Sequence, residues 1–304
     1  MTTYTSGKTH RKMNKMRRQE ALCGYLFASP WLIGLVVFTL YPVLSSLFYS
    51  FTNYNFSSAF KWVGFANYQV LFTRDPMIPI SAYNTLYFAL FSVPLNLVIG
   101  IAIAVMMNQK IRGIRMLRTV YYLPNVVSIV AVSMLWLFIF QSNGVLNAAL
   151  KVFGIEGPNW LMDPDAAKPA LIIMNCWNAG STMIIYLAGL KGIPTSYYEA
   201  ADVDGAGPIR KFFSITLPLL SPSIFYNTII AIIGALQTFS TALVMTDGGP
   251  VHSTTFYVLT LYRRAFQDMR MGYASAMAWV LMVVTLVLTL CVYRLGNSKV
   301  YYEN

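Results

Sequence analysis

The first long apolar stretch, GYLFASPWLIGLVVFTLYPVLSSLFYS at residues 24–50, decides the fold class. It contains no Asp, Glu, Lys, Arg or His, and as a helix rising about 1.5 Å per residue it can cross a hydrocarbon core about 30 Å thick. A basic segment precedes it, as in a signal peptide, but the stretch is too long for one and lacks an obvious small-x-small cleavage site. The sequence therefore predicts a retained transmembrane helix.

Five further stretches have the same charge-free composition. Hydrophobic residues make up 57% of the 304-residue chain and charged residues 11%, which is far from the composition of soluble proteins. Alternating short segments, which closed barrels need, are not seen, so helices are expected to satisfy the backbone in lipid. The predicted fold class is all-α integral membrane with six transmembrane helices. The five further stretches are 83–108, 120–140, 169–190, 221–245 and 273–293.

The basic residues predict the orientation, because short cytoplasmic loops carry an excess of Lys and Arg. With the N-terminus inside, 15 of the 22 basic residues face the cytoplasm. This predicts an N-in and C-in chain, with a basic cytoplasmic tail at 1–20, and one transmembrane domain at 21–304 whose cytoplasmic loop spans 192–220. The fifteen are Lys8, Arg11, Lys12, Lys15, Arg17, Arg18, Lys110, Arg112, Arg115, Arg118, Lys191, Arg210, Lys211, Arg294 and Lys299.

Other readings of the charge and of the reactive residues find little support. The net charge of +11 would suit a nucleic-acid-binding protein, but positive cytoplasmic loops explain it, so no nucleic-acid partner is expected. Cys23, Cys176 and Cys291 lie in or beside different spans and predict neither a disulfide framework nor a metal site. His10 and His252 lie in loops without an HExxH or GxSxG context, which disfavours an intramembrane enzyme.

Three local features complete the outline. Residues 141–168 are rich in Gly, Pro and Asp and are expected to form an outer loop too short to be a domain. Residues 255–266 are apolar but too short to span, so a short helix lying against the membrane surface is predicted. Pro42 frees a backbone carbonyl in the first span and is expected to bend it.

The cytoplasmic loop before the fifth span carries signals for two short helices. Ser196 and Glu199 have the spacing of a capping box, which predicts a helix over 197–204. Gly205 is expected to end that helix in a left-handed conformation.

The second helix of this loop has its own start and stop signals. Gly207 frees the chain to turn, and Pro208 suits the first helical position. Pro218 is expected to stop the helix before the next span begins near Ser221. Either this is merely a well-capped connection, or the small residues at 200, 201, 205 and 207 let another surface approach closely. The loop is longer than antiparallel spans require, which favours a docking element.

The same loop carries a family resemblance. EAADVDGAGPIRKFFSITLP at 199–218 resembles the signature of the membrane subunits of binding-protein-dependent ABC importers. Three other segments are similar to the sugar-permease branch, of the maltose and glycerol-phosphate permease kind. They are YLFASPWLIGLVVFTLYPVLSSLFYSF at 25–51, LAGLKGIP at 187–194 and TDGGPVHSTTF at 246–256.

The resemblance implies a function. It implies a type I ABC importer permease fold in a bacterial plasma membrane, forming half of the translocation pathway for a carbohydrate. The implied partners are a second homologous permease subunit, two cytoplasmic ATP-binding subunits and an extracytoplasmic solute-binding protein. The chain itself is implied to bind no cofactor, with ATP and Mg on the ATPase subunits, and it has no phosphate-binding GxxxxGK[ST] loop. The implied ATPase-coupling residues are Glu199, Ala200, Ala201, Gly205, Ile215, Leu217 and Pro218.

Neutral polar residues in the fourth and fifth spans are candidates for the substrate pathway. Asn175, Asn178, Thr182 and Tyr186 recur at steps of three and four, so they share one helix face. Amides and hydroxyls beside aromatic rings suit a sugar, although such residues also hold membrane helices together. The resemblance implies that the Asn-x-Trp segment at 175–177 lines the sugar site. The candidates are Asn175, Trp177, Asn178, Thr182, Gln237, Thr238 and Thr241.

The energy source can be argued from what the spans lack. Transporters driven by protons or sodium usually carry ionisable residues inside their spans. The six stretches carry none, so energy is expected to come from a partner, and the solute is expected to need no buried counter-charge. An ion-coupled secondary transporter of a neutral polar solute is the alternative.

Overall fold

The computed structural model describes residues 15–56, 60–109 and 111–297. Within these residues the regular structure is helical, apart from one isolated bridge between Thr52 and Trp62. The predicted all-α fold is confirmed. Most of the predicted basic tail, residues 1–14, lies outside the described part of the chain. In chain order the helices are α1 (Lys15–Leu35), α2 (Tyr41–Ser50), α3 (Ala66–Thr73), α4 (Met77–Met107), α5 (Ile114–Tyr122), α6 (Ile129–Ile139), α7 (Val145–Val152), α8 (Pro164–Trp177), α9 (Gly180–Gly192), α10 (Thr195–Val203), α11 (Pro208–Lys211), α12 (Leu217–Leu219), α13 (Ser221–Leu236), α14 (Ser240–Met245), α15 (Tyr257–Tyr262) and α16 (Met271–Asn297).

Among the described residues, three continuous helices and three bent helix pairs are long and apolar enough to cross a membrane. The continuous ones are Leu22–Ser50, Met77–Met107 and Met271–Gly296. If each bent pair is counted as one span, the total is six, as predicted. The bent pairs are Ile114–Asn125 with Ile129–Ile139, Pro164–Trp177 with Gly180–Gly192, and Pro208–Leu219 with Ser221–Leu236.

Bends interrupt several of the stretches that composition presents as single spans. The stretch 120–140 is broken by a 98° bend, where a 3₁₀ turn at Leu123–Asn125 contains a proline. The stretch 221–245 is interrupted after Leu236, and α14 begins only at Ser240. Composition records that a segment is apolar, but it does not record where the backbone changes direction.

The fourth predicted span is also longer at its outer end than expected. α8 begins at Pro164, where the Asp163 side chain accepts a hydrogen bond from the Asp165 amide at 2.9 Å. The helix continues through Pro169, which sits inside it. Lys168, predicted to lie in the outer loop, therefore lies within α8. Part of the rest of the predicted loop is also helical, as α7.

The first span stays one continuous helix past Pro42. A π-helical turn at Val36–Leu40 lies directly before the helical turn that contains this proline. A π turn shifts the hydrogen-bond ladder, which accommodates the donor that proline lacks. The helix therefore runs unbroken from Leu22 to Ser50.

α4 lies at the centre of the packing, against α8, α9, α13 and α15. Toward the cytoplasmic end, the inner cluster packs α4 and α9 against the residue that precedes α13. Gly100 of α4 lets α9 approach closely, because a Cβ there would lie 2.9 Å from Cγ2 of Thr182. The inner cluster consists of Ala104, Met107, Met183, Tyr186, Leu187, Leu190, Ile193 and Leu220.

The first half of the segment 255–266 is buried within the protein, so the segment does not lie on the membrane surface as predicted. Phe256 and Leu259 are fully buried and belong to a core cluster with Phe88 and Leu171. The Tyr257 amide donates a hydrogen bond of 2.9 Å to Thr85 of α4. α15 therefore packs against the long spans, because its aromatic and aliphatic side chains are stabilised when they are buried against other protein side chains.

Candidate functional site

The helix-turn-helix of 195–219, called the elbow below, ends its first helix as predicted. Gly205 has φ +69°, the left-handed conformation. The Ala206 amide donates to the Ala201 carbonyl at 2.8 Å and the Gly205 amide to the Asp202 carbonyl at 3.1 Å. This pair of bonds is a Schellman motif, which satisfies carbonyls at the helix end.

The start of the elbow differs from the predicted capping box. α10 begins at Thr195, with Pro194 at the N-cap and no side-chain cap, so Ser196 lies inside the first turn. Glu199 is exposed and accepts no hydrogen bond from the described residues. The carboxylate predicted to cap its own helix is therefore available to a partner.

The second helix starts as predicted, with Gly207 at the N-cap and Pro208 at the first helical position. It continues through a π turn at Phe212–Thr216 to Leu219, one residue past Pro218. There the chain bends by 65° into α13. The elbow therefore leads directly into a membrane-spanning helix.

The two elbow helices are tied to each other and to the protein. Lys211 of the second helix forms an ion pair with Asp202 of the first. The Tyr198 hydroxyl lies 3.0 Å from Oγ1 of Thr216, and Tyr198 also packs on the inner cluster. These contacts make the elbow a stiff unit seated on α9 and α13.

The predicted coupling residues fall on two faces. Glu199, Ala200 and Gly205 are exposed, and Ala201 is half-buried. A second set of half-buried residues follows in the second helix, namely Ile215, Leu217 and Pro218. The first set therefore suits contact with a partner, whereas the second lies closer to the body of the protein.

Two residues missed from the sequence extend the exposed face. Val203 is 89% exposed and Ile209 is 75% exposed. Apolar side chains this exposed on a charged, cytoplasmic elbow suit a protein contact. Their position in a stretch that is otherwise charged or small was the available signal.

Two adjoining cavities lie beside α4 and α8: the inner one is completed by α9 and α13, and the outer one by α6 and α14. The inner cavity has a volume of 280 Å³ and the outer cavity 180 Å³. Asn175 and Asn178 line both, and their side-chain amides have no hydrogen-bond partner among the described residues. Thr238 and Thr241 line the outer cavity beside the rings of Phe88 and Phe239. Four predicted pathway residues are thus brought together.

The other three pathway candidates are placed differently. Thr182 lines the inner cavity but donates to Oδ1 of Asn96 at 3.2 Å, so it also joins α9 to α4. Gln237 lines a separate cavity of 710 Å³ between α13 and α16. Trp177 is 56% exposed and lines none of these cavities; its ring meets that of Trp136 edge-on, with centroids 5.9 Å apart. Trp177 follows Asn175 by two residues in α8, so it lies on a different face of the helix.

Several lining residues were missed from the sequence. Asn96 of α4 donates from Nδ2 to the Asn175 carbonyl at 3.3 Å. Ser92, Tyr226 and Asn227 also line the inner cavity. The polar residues of 92–96, clustered about a proline in an otherwise apolar helix, were the available signal.

At the outer end, a cluster of charged residues that the sequence did not reveal joins segments that are far apart along the chain. Asp75, just before α4, accepts two hydrogen bonds from Arg264, at 3.0 and 3.1 Å, and one from the Tyr273 hydroxyl at 2.9 Å. Burial alone would raise the pKa of Asp75, but bonds from the Met77 amide and Arg264 hold it below its ordinary value. Arg264 also bonds Asp268. No group of three or more His, Cys, Asp or Glu among the described residues could hold a metal ion.

Comparison with known proteins covers almost the whole chain. The family model described as "Binding-protein-dependent transport system inner membrane component" matches residues 96–298. The probable ABC transporter permease protein YesP of Bacillus subtilis is 42% identical, over 98% of both chains. The sulfoquinovosyl glycerol transport system permease protein SmoG of Agrobacterium fabrum is 35% identical, over 92% of both.

A solved structure has the same architecture. It is a chain of a bacterial alginate ABC transporter in complex with an alginate pentasaccharide-bound periplasmic protein. The TM-score is 0.81 at 26% identity, covering 95% of this chain and 98% of the other. The predicted permease fold is confirmed by this match, and so is the inner-membrane location by the family match.

Proposed function

Because the chain belongs to the family of binding-protein-dependent transport system inner membrane components, we propose that it forms half of the translocation pathway of an ATP-driven importer for a carbohydrate. Members of this family are components of transport systems rather than enzymes. SmoG belongs to a transport system for sulfoquinovosyl glycerol, a saccharide derivative, and the alginate transporter takes a polysaccharide. A periplasmic protein is bound to the alginate transporter, which supports a solute-binding protein as a partner here.

The observation that carries the proposal is the elbow, which has one exposed face and a second face that packs on the inner cluster, called its seat. The exposed face presents Glu199, Ala200 and Gly205 to a cytoplasmic ATP-binding subunit. The seat includes Tyr186 and Leu187, which lie one to two turns beyond Thr182 of the inner cavity. A displacement of the elbow therefore reaches the cavity through packed side chains.

The proposed cycle uses differential affinity for two states. Two partner ATPases, which carry the ATP and Mg, close on each other and thereby displace the elbow. The displaced elbow turns α13 at the 65° bend that joins them. A second, homologous permease subunit supplies the other half of the pathway. The bound solute then meets an altered cavity and is released to the cytoplasm, since coupling requires that the two states bind it unequally.

The proposed pathway within this chain runs along the two polar cavities. The amides of Asn175 and Asn178 offer donors and acceptors to sugar hydroxyls, and Phe88 and Phe239 offer rings to sugar faces. Thr182, Thr238 and Thr241 add hydroxyls. Gln237, in the cavity beside α16, and Trp177, beside Trp136, are proposed to contact the solute outside these two cavities.

The test is import by the whole complex in vesicles. The complex is isolated gently with its ATPase subunits and binding protein, and uptake of saccharides is followed with ATP inside and the proton gradient dissipated. Uptake that persists without the gradient and stops without ATP supports the proposal. Uptake that collapses with the gradient would instead establish the ion-coupled alternative, and absence of any co-isolated ATPase would remove the proposal's main support.

A further inference from the structure

Lys168 places a positive charge inside a helix that leads into the polar cavities. The charge-free stretch predicted from the sequence begins at residue 169, immediately after this lysine. The helix α8 begins earlier, at Pro164, and therefore contains Lys168. The side chain is half-buried rather than free in an outer loop. Withdrawing a charge from water is costly unless the charge is compensated.

The neighbours of Lys168 are neutral. Nζ donates a hydrogen bond to Oδ1 of Asn84 at 3.2 Å and lies 5.1 and 4.9 Å from the ring centroids of Tyr83 and Tyr87. An amide oxygen and two ring faces orient an ammonium group but bring no opposite charge. No carboxylate oxygen of the described residues lies within 4.0 Å of Nζ. The ammonium group is therefore held in place without a counter-charge.

The backbone of Lys168 lies about one helical turn outward of the outer cavity. Leu171, three residues after Lys168, and Phe88, four residues after Asn84, both line that cavity. At about 1.5 Å per residue, the lysine is set about 5 Å along the helix from the lining. Asn84 is itself fixed, because Nδ2 donates to the His252 and Thr255 carbonyls at 2.8 and 3.2 Å.

We propose that Lys168 selects a carbohydrate that carries an anionic group. The carboxylate, sulfonate or phosphate of the saccharide pairs with Nζ, while its hydroxyls reach the free amides of Asn175 and Asn178 in the cavity below. The inference rests on the proposed function and deepens it, since it assigns the charge of the solute at the same site. It also replaces the expectation, drawn from charge-free stretches, that the solute needs no buried counter-charge.

The experiment compares saccharides of different charge in the reconstituted complex with its binding protein. A uronate disaccharide, a sugar phosphate and a sugar sulfonate are tested beside neutral disaccharides for uptake and for stimulation of ATP hydrolysis. We expect anionic saccharides to be transported, and Lys168→Gln to lower their uptake at least tenfold, because a charge-assisted contact is lost. Lys168→Arg should stay within about threefold of the wild type because it keeps the charge.

Two further variants separate selection from structure. Lys168→Met keeps an apolar stem and removes the charge, so it should behave like Lys168→Gln if charge is what matters. Lys151→Gln changes an exposed lysine of α7 and should leave uptake unchanged. Each variant is first checked for assembly with the ATPase subunits.

Each outcome bears on the inference. Transport of neutral saccharides alone, or equal uptake of an anionic one by wild type and both charge-removing variants, overturns it. Loss of assembly in both variants also overturns it, because Lys168 would then be a structural residue. If an intact complex responds to no saccharide of either kind, the proposed function fails first and takes this inference with it.

Discussion

The inner and outer ends of the molecule are held together by contacts of different range. The elbow is built from bonds between near neighbours, such as Ala206 to Ala201 and Lys211 to Asp202, and it leaves an exposed face. At the outer end, Asp75 bonds Arg264 and Tyr273, nearly two hundred residues away in sequence, and its side chain is 5% exposed. The comparison indicates that the elbow is a local module made for contact, whereas the outer end is a fixed anchor.

The largest expected effect is at the outer anchor. Asp75→Ala removes the carboxylate and leaves the partly buried Arg264 without its main partner, so we expect a loss of about 3 kcal/mol in the free energy of unfolding. Thermal unfolding of the purified protein in detergent measures the change. The control is Asp247→Asn, since Asp247 pairs with Arg263 but is 69% exposed, and such pairs contribute about 1 kcal/mol or less. Equal losses in the two variants would contradict the anchor.

The same anchor has a predicted pH dependence. The folded pKa of Asp75 lies below its unfolded value of about 3.9, so its contribution is fully present above that pH. It is lost as the pH falls through the folded pKa. In unfolding scans, the gap between wild type and Asp75→Ala should therefore stay constant from pH 8 to pH 5 and narrow only below about pH 4. A gap that closes between pH 7 and pH 5 would contradict this sign.

At the elbow the effect should fall on function and spare stability. Glu199→Lys reverses an exposed charge that accepts no hydrogen bond from the described residues, so the free energy of unfolding should stay within about 0.5 kcal/mol of the wild type. Uptake driven by ATP should fall at least tenfold, because the charge that Glu199 brings to the proposed contact is reversed. Glu156→Lys, an exposed change on the outer side, is the control. Normal uptake by Glu199→Lys would remove Glu199 from the docking surface.

The smallest predicted effect concerns the turn between the elbow helices. Gly205→Ala forces a side chain into a left-handed backbone and should cost about 1 kcal/mol, whereas Gly207, at φ −67°, accepts Ala without backbone strain and should lose only a few tenths of a kcal/mol from the poorer N-cap. Neither added Cβ meets another atom within 4 Å, so steric contact does not separate the two variants. Unfolding scans of the pair measure this difference. Equal stabilities would show that the turn is not a fixed part of the elbow.

The comparison also explains how much the sequence could predict. Gly205 and Pro208 act on their own turn, so their roles follow from local chemistry. The bend after α8, the burial of Phe256 and the bonds of Asp75 depend on residues far along the chain, which one sequence does not pair. Asn175 and Asn178 were found by helical spacing, but Asn96 and Lys168 were placed by packing and by the early start of α8.

The docking role of the elbow is tested most directly by labelling a single cysteine in its exposed face. Ala200→Cys, in a chain whose three native cysteines are replaced by serine, is treated with a membrane-impermeant maleimide. Lys151→Cys serves as the opposite-side control. We expect position 200 to be labelled in inside-out vesicles stripped of the ATPase subunits and to be protected when those subunits are restored. In intact cells we expect no labelling of this position. Labelling of position 200 from outside, or labelling unaffected by the ATPase, would contradict the docking role.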